Sequence, residues 1–240
     1  MELYYAPPRQ ITRGEITLEG EESTHLRRVM RKRTGEEIHV ADGEGTVYTA
    51  TIISIDRQRT LCRITARQAE YNESPRRLTL AVGLTKNPAR FDLLVEKTTE
   101  LGVATIIPLL TRRSIRHAPR TERWRAIALA AMKQSLRSRL PQIQEPAILP
   151  EVLSRLPGQN ALILHERASG PLLPLLGPAL GNAPWVLIGP EGGFTEEELQ
   201  EATGAGCRSV SLGVRRLRTE TAAVAAAVHL LLGASPAPGA

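Results

Sequence analysis

Residues 185–198 read WVLIGPEGGFTEEE, and this stretch joins a predicted strand to a predicted helix through a glycine-rich turn. Four consecutive apolar residues predict a short buried strand, and Thr195 followed three residues later by Glu198 is a capping box that starts a helix. An apolar strand that runs directly into a helix is typical of a parallel sheet covered by helices. The stretch therefore predicts an α/β fold.

The same alternation of strands and helices continues on both sides of this stretch. Apolar runs and helical patterns predict further strands at 78–84, 105–110, 161–164 and 209–212, with helices at 91–101, 121–140, 196–205 and 219–232. We therefore predict one α/β domain over residues 73–234, built on a mostly parallel sheet. Residues 235–240 offer almost nothing to bury, and we expect a disordered tail there.

The N-terminal region has a different pattern, which predicts a small β-barrel or sheet over residues 1–72. Short β-branched segments are separated by Gly and Asp turns, at residues 36–40, 46–55 and 60–65. The sequence Asn-Glu-Ser-Pro at residues 72–75 breaks this pattern. We therefore expect the domain boundary there.

One helix is predicted between the strands of this N-terminal domain, at residues 23–33. Leu26, Val29 and Met30 fall on one helical face, and arginines occupy the other face. This pattern predicts that the apolar face packs inward and that the arginines point outward.

Composition and cysteine usage favour a cytoplasmic protein without metals or disulfides. A chain of 240 residues is long enough to bury a core, and its two cysteines, Cys62 and Cys207, lie far apart without metal-ligand spacing. The first residues lack the basic region and the following apolar region that mark a signal peptide. The longest apolar stretch, 222–234, is too short to span a bilayer. The five histidines form no ligand cluster. We expect neither export, nor membrane insertion, nor a metal site.

The positive charge is concentrated in the middle of the chain. The net charge is +6, and residues 71–140 contain 14 Lys or Arg against 5 Asp or Glu. Such a segment favours a polyanion such as RNA or DNA, while the alternative is a solvated helix face. Candidate phosphate contacts, here and in the N-terminal domain, are Arg9, Arg27, Arg28, Arg31, Arg112, Arg116 and Arg137.

Unusual segments follow three of the predicted strands, at residues 165–167, 189–194 and 213–221. Ligands of open α/β sheets bind beyond the carboxyl ends of the strands, so these segments are candidates for a ligand site. The glycines of 189–194 permit a close backbone approach to a ligand, although an ordinary tight turn into a capped helix remains the alternative. The stretch lacks the Gly-Lys-Ser/Thr of a phosphate-binding loop, and 204–206 lacks a Rossmann fingerprint, which disfavours nucleotide-phosphate chemistry.

Five segments in the same order resemble the RsmE-type ribosomal RNA methyltransferases of the SPOUT superfamily. The strongest are 187–195, LIGPEGGFT, and 212–222, LGVRRLRTETA. Residues 25–31, 96–103 and 134–137, the last with Pro141 and Ile143, also match. The chain departs from the family pattern at Asn87-Pro88-Ala89, at Lys133 and at Arg216, of which the last lies inside a cofactor loop.

This resemblance implies a PUA-like β-barrel followed by a SPOUT α/β domain with a C-terminal deep trefoil knot, and a homodimer. The knot rests on the resemblance alone, because true knots are very rare. The implied reaction is methylation of N3 of a specific uridine near the 3′ end of 16S rRNA in the small ribosomal subunit. S-adenosylmethionine would bind to Leu164, His165, Glu166, Ile188, Gly189, Pro190, Glu191, Gly193, Leu212, Gly213, Arg215 and Leu217.

Two residues beside the third loop are candidates for the chemistry. Uracil N3 is a poor nucleophile until it loses its proton, so we expect Glu220 to accept that proton and Arg218 to orient the base and stabilise its negative charge. The alternative for Glu220 is a first-turn acid that only complements the helix dipole.

Two other functions remain open. A SPOUT enzyme could act on a different RNA position, such as a ribose or a tRNA base. A non-catalytic RNA-binding protein of ribosome assembly would bind RNA but no cofactor.

Overall fold

The structure, a computed structural model, describes residues 1–114, 120–156, 160–166, 168 and 180–232. Two of the predictions lie outside the described residues, namely the phosphate contact at Arg116 and the disordered tail 235–240. The chain forms two compact units, one made of Met1–Glu73 and Leu129–Leu140, the other of Ser74–Ala128 and Pro141–Ala240.

The first unit contains a five-stranded sheet in the order β1-β3-β4-β5-β2. β1 pairs with β3 in parallel, and the other neighbours are antiparallel. Side chains on one face of the sheet alternate into a core that includes Tyr4, Ile16, Leu18 and Ile52, all about fully buried. The strands are β1 Leu3–Tyr5, β2 Glu15–Glu19, β3 Glu37–Ala41, β4 Thr46–Ile55 and β5 Arg59–Ala69.

The predicted helix at residues 23–33 is shorter and less regular than its pattern suggested. A short helix α1, Gly20–Thr24, continues into a π-helical turn, His25–Val29. Leu26 is buried, but Val29 and Met30 are 62% and 41% exposed, so their predicted burial is wrong. A π-helical turn contains more residues per turn than an α-helix, so the i, i+3, i+4 spacing does not keep them on one face.

Residues 129–140 belong to the first unit, and polar groups of residues 137–139 converge on Glu73. The Glu73 carboxylate accepts a hydrogen bond from the Arg137 guanidinium at 2.8 Å and from the backbone N–H groups of Ser138 and Arg139 at 3.1 and 2.9 Å. This buried cluster ties the segment to the end of the N-terminal chain. The predicted domains, 1–72 and 73–234, placed residues 129–140 in the second domain, whereas the structure places them in the first unit.

The same cluster explains why the predicted helix 121–140 is shorter in the structure. The helix α3 spans Thr121–Gln134. Beyond it, Leu136 adopts a positive φ of 57°, and the next N–H groups bond to a carboxylate instead of continuing the helical pattern.

The second unit contains a seven-stranded sheet in which every pair is parallel. Its order is β12-β10-β11-β6-β7-β8, and β9 also pairs with β7. The predicted strands 105–110, 161–164 and 185–188 are confirmed to the residue. The strands are β6 Thr79–Gly83, β7 Thr105–Leu110, β8 Gln142–Ile143, β9 Ala147–Ile148, β10 Ala161–Leu164, β11 Trp185–Ile188 and β12 Arg208–Val210.

Helices cover this sheet and begin at recognisable caps. Asn87 caps α2 by accepting the Ala89 N–H at 3.0 Å, and Pro88 occupies the first helical position. The predicted capping box of α5 is confirmed, since Thr195 and Glu198 exchange hydrogen bonds between side chain and backbone. The helices are α2 Pro88–Glu100, α4 Leu149–Leu153, α5 Glu196–Gly204 and α6 Thr219–Leu231.

Of the helices that the structure describes, none combines the length and the apolar character needed to cross a membrane.

Candidate functional site

Three loops at the carboxyl edge of the parallel sheet enclose a cavity within the second unit. These loops follow β10, β11 and β12, which are neighbours in the sheet, so their carboxyl ends lie at the same edge. The cavity is open to solvent, and the space between the loops, solvent included, is about 830 Å³. All twelve predicted cofactor residues line it: Leu164, His165, Glu166, Ile188, Gly189, Pro190, Glu191, Gly193, Leu212, Gly213, Arg215 and Leu217.

The loop after β11 is held close to the sheet by its glycines and by Glu191. Gly193 has a φ of +68° and donates its N–H to the Pro190 carbonyl at 2.8 Å, which closes a tight turn. The Glu191 carboxylate accepts the Lys86 N–H at 3.0 and 3.2 Å. At the end of β6, a Cβ on Gly83 would lie only 2.3 Å from the Pro190 nitrogen. The loop can therefore pass directly over this strand end only because residue 83 is glycine.

The cavity also contains residues that the sequence reasoning missed. Arg113 is the most informative, because its Nη1 donates to the carbonyls of Gly192 and Phe194 at 2.7 and 3.2 Å. Arg113 follows β7, whose carboxyl end lies at the same edge of the sheet. Ligands of open α/β sheets bind beyond the carboxyl ends of the strands, so the segment after β7 was also a place to look for site residues. The lining residues that were not among the twelve predicted cofactor residues are Arg113, Gly192, Phe194, Ser211, Arg216, Thr219 and Ala222.

The beginning of α6 is tied to the glycine loop. The Thr219 hydroxyl donates to the Gly189 carbonyl at 3.0 Å. Arg216, which departs from the family pattern, donates from Nη2 to the Glu191 carbonyl at 3.1 Å, and its Nε lies 3.9 Å from a Glu166 carboxylate oxygen. Arg216 therefore links the third loop to both of the other loops.

The two residues predicted to carry the chemistry flank Thr219. Arg218 is the exposed N-cap residue of α6, and Glu220 lies in the first turn of this helix with only 8% of its surface exposed. Neither residue lines the cavity itself. Glu220 Oε1 lies 3.7 Å from Arg90 Nε, whereas its Oε2 is buried and has no hydrogen-bond partner among the described residues. A buried acceptor without a donor is costly unless a ligand supplies one.

The candidate RNA contacts differ in their surroundings. Arg9, Arg28 and Arg31 are exposed, and Arg27 is half-buried, so these four stay predictions. Arg112 is exposed but lies 3.5 and 3.8 Å from two carboxylates of α5, those of Glu197 and Glu201.

Arg137 does not fit its predicted role as a phosphate contact. Its side chain is 3% exposed and paired at 2.8 Å with Glu73, which is also 3% exposed. A buried guanidinium that neutralises a buried carboxylate holds the first unit together and does not reach a phosphate.

The positive charge of the middle segment is partly offset by acids that are distant in sequence. Arg123 lies 2.8 Å from Asp92, and Arg125 lies 3.2 Å from Glu145. The sequence count for residues 71–140 left out Glu145 and did not show that Asp92 pairs with Arg123, so it overestimated the local field.

Neither cysteine is part of a reactive site. Burial raises the pKa of the Cys62 thiol to about 12 and that of the Cys207 thiol to about 11, so both are neutral at physiological pH. In the described ranges, no group of three or more His, Cys, Asp or Glu side chains is arranged to hold a metal ion.

The fold and the cavity define an α/β protein with a cavity at the carboxyl edge of a parallel sheet, preceded in the chain by a small β-rich unit. Residues 72–231 match the family described as the RNA methyltransferase domain, and residues 18–65 match the RNA methyltransferase PUA domain. The first match covers more than half of the chain. The chain therefore belongs to this family of RNA methyltransferases.

Individual relatives are similar over most of their length. The ribosomal RNA small subunit methyltransferases E of Synechocystis sp. and Aquifex aeolicus are 33% and 31% identical to the chain. The alignments cover 93% of this chain in both cases, and 75% and 96% of the two relatives.

Two solved structures resemble the chain closely and contain a ligand. The ribosomal RNA small subunit methyltransferase E of Neisseria gonorrhoeae, bound to S-adenosylmethionine, is 32% identical, with a TM-score of 0.85 and 95% of each chain covered. A structure from Legionella pneumophila, also in complex with S-adenosylmethionine, is 30% identical, with a TM-score of 0.80 and coverages of 95% and 96%.

Proposed function

We propose that the chain is an S-adenosylmethionine-dependent methyltransferase that modifies N3 of a specific uridine near the 3′ end of 16S rRNA. The observation that carries this proposal is the cavity formed by the loops after β10, β11 and β12, in a chain about 30% identical to ribosomal RNA small subunit methyltransferases. The choice of uridine N3 rests on the family resemblance and on the chemistry that Glu220 and Arg218 can perform. The reaction would take place in the cytoplasm during ribosome biogenesis.

The lining of the cavity fits S-adenosylmethionine. The cavity is lined both by apolar side chains, such as Leu164 and Ile188, and by the backbone of the glycine loop, which can hydrogen-bond an adenine edge. His165, Glu166 and Arg215 add polar groups at the rim. When bound, the cofactor supplies the electrophilic methyl group that is transferred.

The residues at the start of α6 are suited to activate the target base. The buried Glu220 Oε2 lacks a donor among the described residues, and the N3–H of uracil would provide one. We assign to Glu220 the removal of this proton and to Arg218 the stabilisation of the charge that then spreads to O2 and O4. Because Arg218 is the N-cap residue of α6, backbone N–H groups at the start of this helix also favour negative charge there.

The RNA partner must present an unpaired uridine, because N3 lies on the Watson–Crick edge of the base. We assign contacts with the surrounding phosphates to Arg9, Arg27, Arg28 and Arg31 of the first unit, with Arg112 as a further candidate in the second unit.

The active form is proposed to be a homodimer whose α/β domain contains a deep trefoil knot. Both statements rest on the family resemblance. The exposure of apolar side chains in the second unit supports an interface, since Val214 is 100% exposed and Leu232 is 54% exposed. Analytical ultracentrifugation tests the dimer, and a crystal structure that traces residues 160–232 without interruption tests the knot.

The decisive experiment is methyl transfer from labelled S-adenosylmethionine to small ribosomal subunits that lack the modification, followed by mapping of the labelled nucleoside. Label in N3-methyluridine near the 3′ end of 16S rRNA is the expected result. Label at another RNA position would identify a different specificity. No transfer, together with no cofactor binding in calorimetry, would leave a non-catalytic RNA-binding protein.

A substitution tests the role of Glu220 separately from cofactor binding. Glu220→Gln keeps the shape of the side chain but removes its capacity to accept a full proton, and we expect the rate of methyl transfer to fall by about 10² to 10⁴. The affinity for S-adenosylmethionine should stay within about threefold, because Glu220 does not line the cavity. Full turnover by this variant would eliminate Glu220 as the proton acceptor.

A further inference from the structure

Arg90 occupies a position that the stability of its own helix does not explain. It lies in the first turn of α2, Pro88–Glu100, where no acidic residue is present. A cation in the first turn of a helix is unfavourable, because the N-terminus carries partial positive charge. The side chain is only 32% exposed. The side chains that stabilise the charge of Arg90 therefore lie outside α2.

These partners are two carboxylates from two different elements. Arg90 Nη1 lies 3.7 Å from Glu191 Oε1, and Arg90 Nε lies 3.7 Å from Glu220 Oε1. Glu191 belongs to the loop that lines the cavity, whereas Glu220 belongs to α6. Arg90 thus bridges the cofactor loop and the proposed proton acceptor.

The bridge is anchored on both sides. The Glu191 carboxylate is held by the Lys86 N–H, and the start of α6 is held by the hydrogen bond from Thr219 to the glycine loop. Within the part of the chain that the structure describes, Arg90 is the only cation within 4.0 Å of the Glu220 carboxylate. β6 and β11, which also pack against α6, contain no charged side chains.

We propose that Arg90 is a positioning residue for methyl transfer, which supplies the counter-charge to Glu220 Oε1 and so leaves Oε2 as the free acceptor for the substrate proton. This inference rests on the proposed function, because it requires that Glu220 act on the substrate. Arg90 itself does not line the cavity and is not assigned a contact with the cofactor.

A double-mutant cycle between Arg90 and Glu220 tests this role. The rate of a single turnover is measured with saturating S-adenosylmethionine for the wild type, Arg90→Gln, Glu220→Gln and the double variant. We expect Arg90→Gln alone to lower the rate by about 10- to 100-fold, with the KM for S-adenosylmethionine changed by less than about threefold. In the Glu220→Gln background, the same substitution should have almost no further effect, since Arg90 acts through Glu220.

Two further variants separate positioning from loss of structure. Arg90→Lys keeps a positive charge and should recover part of the lost rate. Arg123→Gln is the matched control, because Arg123 pairs at 2.8 Å with Asp92 of the same helix α2 but touches neither Glu191 nor Glu220. It should turn over at the wild-type rate.

The possible outcomes separate this inference from the proposed function. A wild-type rate for Arg90→Gln, or rate losses that multiply in the double variant, would overturn the positioning role even if Glu220→Gln is inactive. A fully active Glu220→Gln would instead remove the proton acceptor on which the proposal depends. Equal rates of Glu220→Gln and the double variant, with a slow Arg90→Gln, would support the role of Arg90.

Discussion

Replacement of Gly83 by alanine should disable the cofactor site while the rest of the fold persists. A Cβ at residue 83 would lie 2.3 Å from the Pro190 nitrogen and 2.5 Å from its Cδ, although ordinary van der Waals contact begins at 3.4 Å. The glycine loop would have to move away from β6 by at least 1.1 Å, the difference between 2.3 and 3.4 Å. Because Gly83 is buried at the end of a central strand, the strand itself has little freedom to yield.

The expected magnitude follows from this displacement. Overpacking of a well-packed site costs about 1–3 kcal/mol in the free energy of unfolding. A shift of about 1 Å at a binding or reacting group can lower the rate by about 10², so we expect Gly83→Ala to lose at least about 10-fold in affinity for S-adenosylmethionine and about 100-fold in turnover. The affinity is measured by calorimetry, and the rate by labelled methyl transfer.

Gly204→Ala is the matched control for this substitution. Gly204 ends α5, and a Cβ there would meet nothing within 4 Å. The control should bind the cofactor like the wild type and should be equally or slightly more stable, because alanine favours a helix over glycine. If Gly83→Ala bound S-adenosylmethionine within twofold of the wild type, the close approach of the Pro190 loop would not control the site.

Three other substitutions or treatments test further parts of the structure. Arg137→Met should lower the free energy of unfolding by about 3–5 kcal/mol in urea denaturation, because it leaves Glu73 buried without its cation; a loss below about 1 kcal/mol would contradict the buried pair. Iodoacetamide at pH 8 should label Cys62 and Cys207 only in denaturant, and labelling of the native protein would contradict their burial. Since burial raises the pKa of both thiols above their ordinary value of 9.0, to about 12 and about 11, the stability that they contribute is complete below pH 9 and is lost as the pH rises through these values. Arg113→Ala should weaken binding of S-adenosylmethionine by about tenfold, because two hydrogen bonds to carbonyls of the glycine loop are lost, whereas the melting temperature should change little; unchanged affinity would show that the loop holds its shape without them.

Local patterns predicted the parts of the fold that depend on local physics. The strands 105–110, 161–164 and 185–188 were found to the residue, because uninterrupted apolar runs are buried on both faces of a parallel sheet. The same reasoning failed for Val29 and Met30, since a π-helical turn changes the periodicity on which it relies.

Long-range pairs were beyond sequence reasoning. Glu73 and Arg137 lie 64 positions apart, and nothing around either residue indicates that they pair. Without this pair, Arg137 belonged to a basic segment and was a reasonable candidate for a phosphate contact. The acids that offset Arg123 and Arg125 are likewise 31 and 20 positions away. The charge count of residues 71–140 included Asp92 without showing that it pairs with Arg123, and it left out Glu145.

Arg90 and Arg113 were missed for one shared cause, which can be corrected. In a parallel sheet all strands end at one edge, yet only the ends of β10, β11 and β12 were considered. The ends of β6 and β7 lead to Arg90 and Arg113, and both contact the glycine loop through charged groups. Their sequence neighbourhoods show no glycine-rich turn, which is why they were passed over. Since Arg90 and Arg113 both contact the glycine loop, α2 and the segment after β7 belong to the proposed site together with that loop.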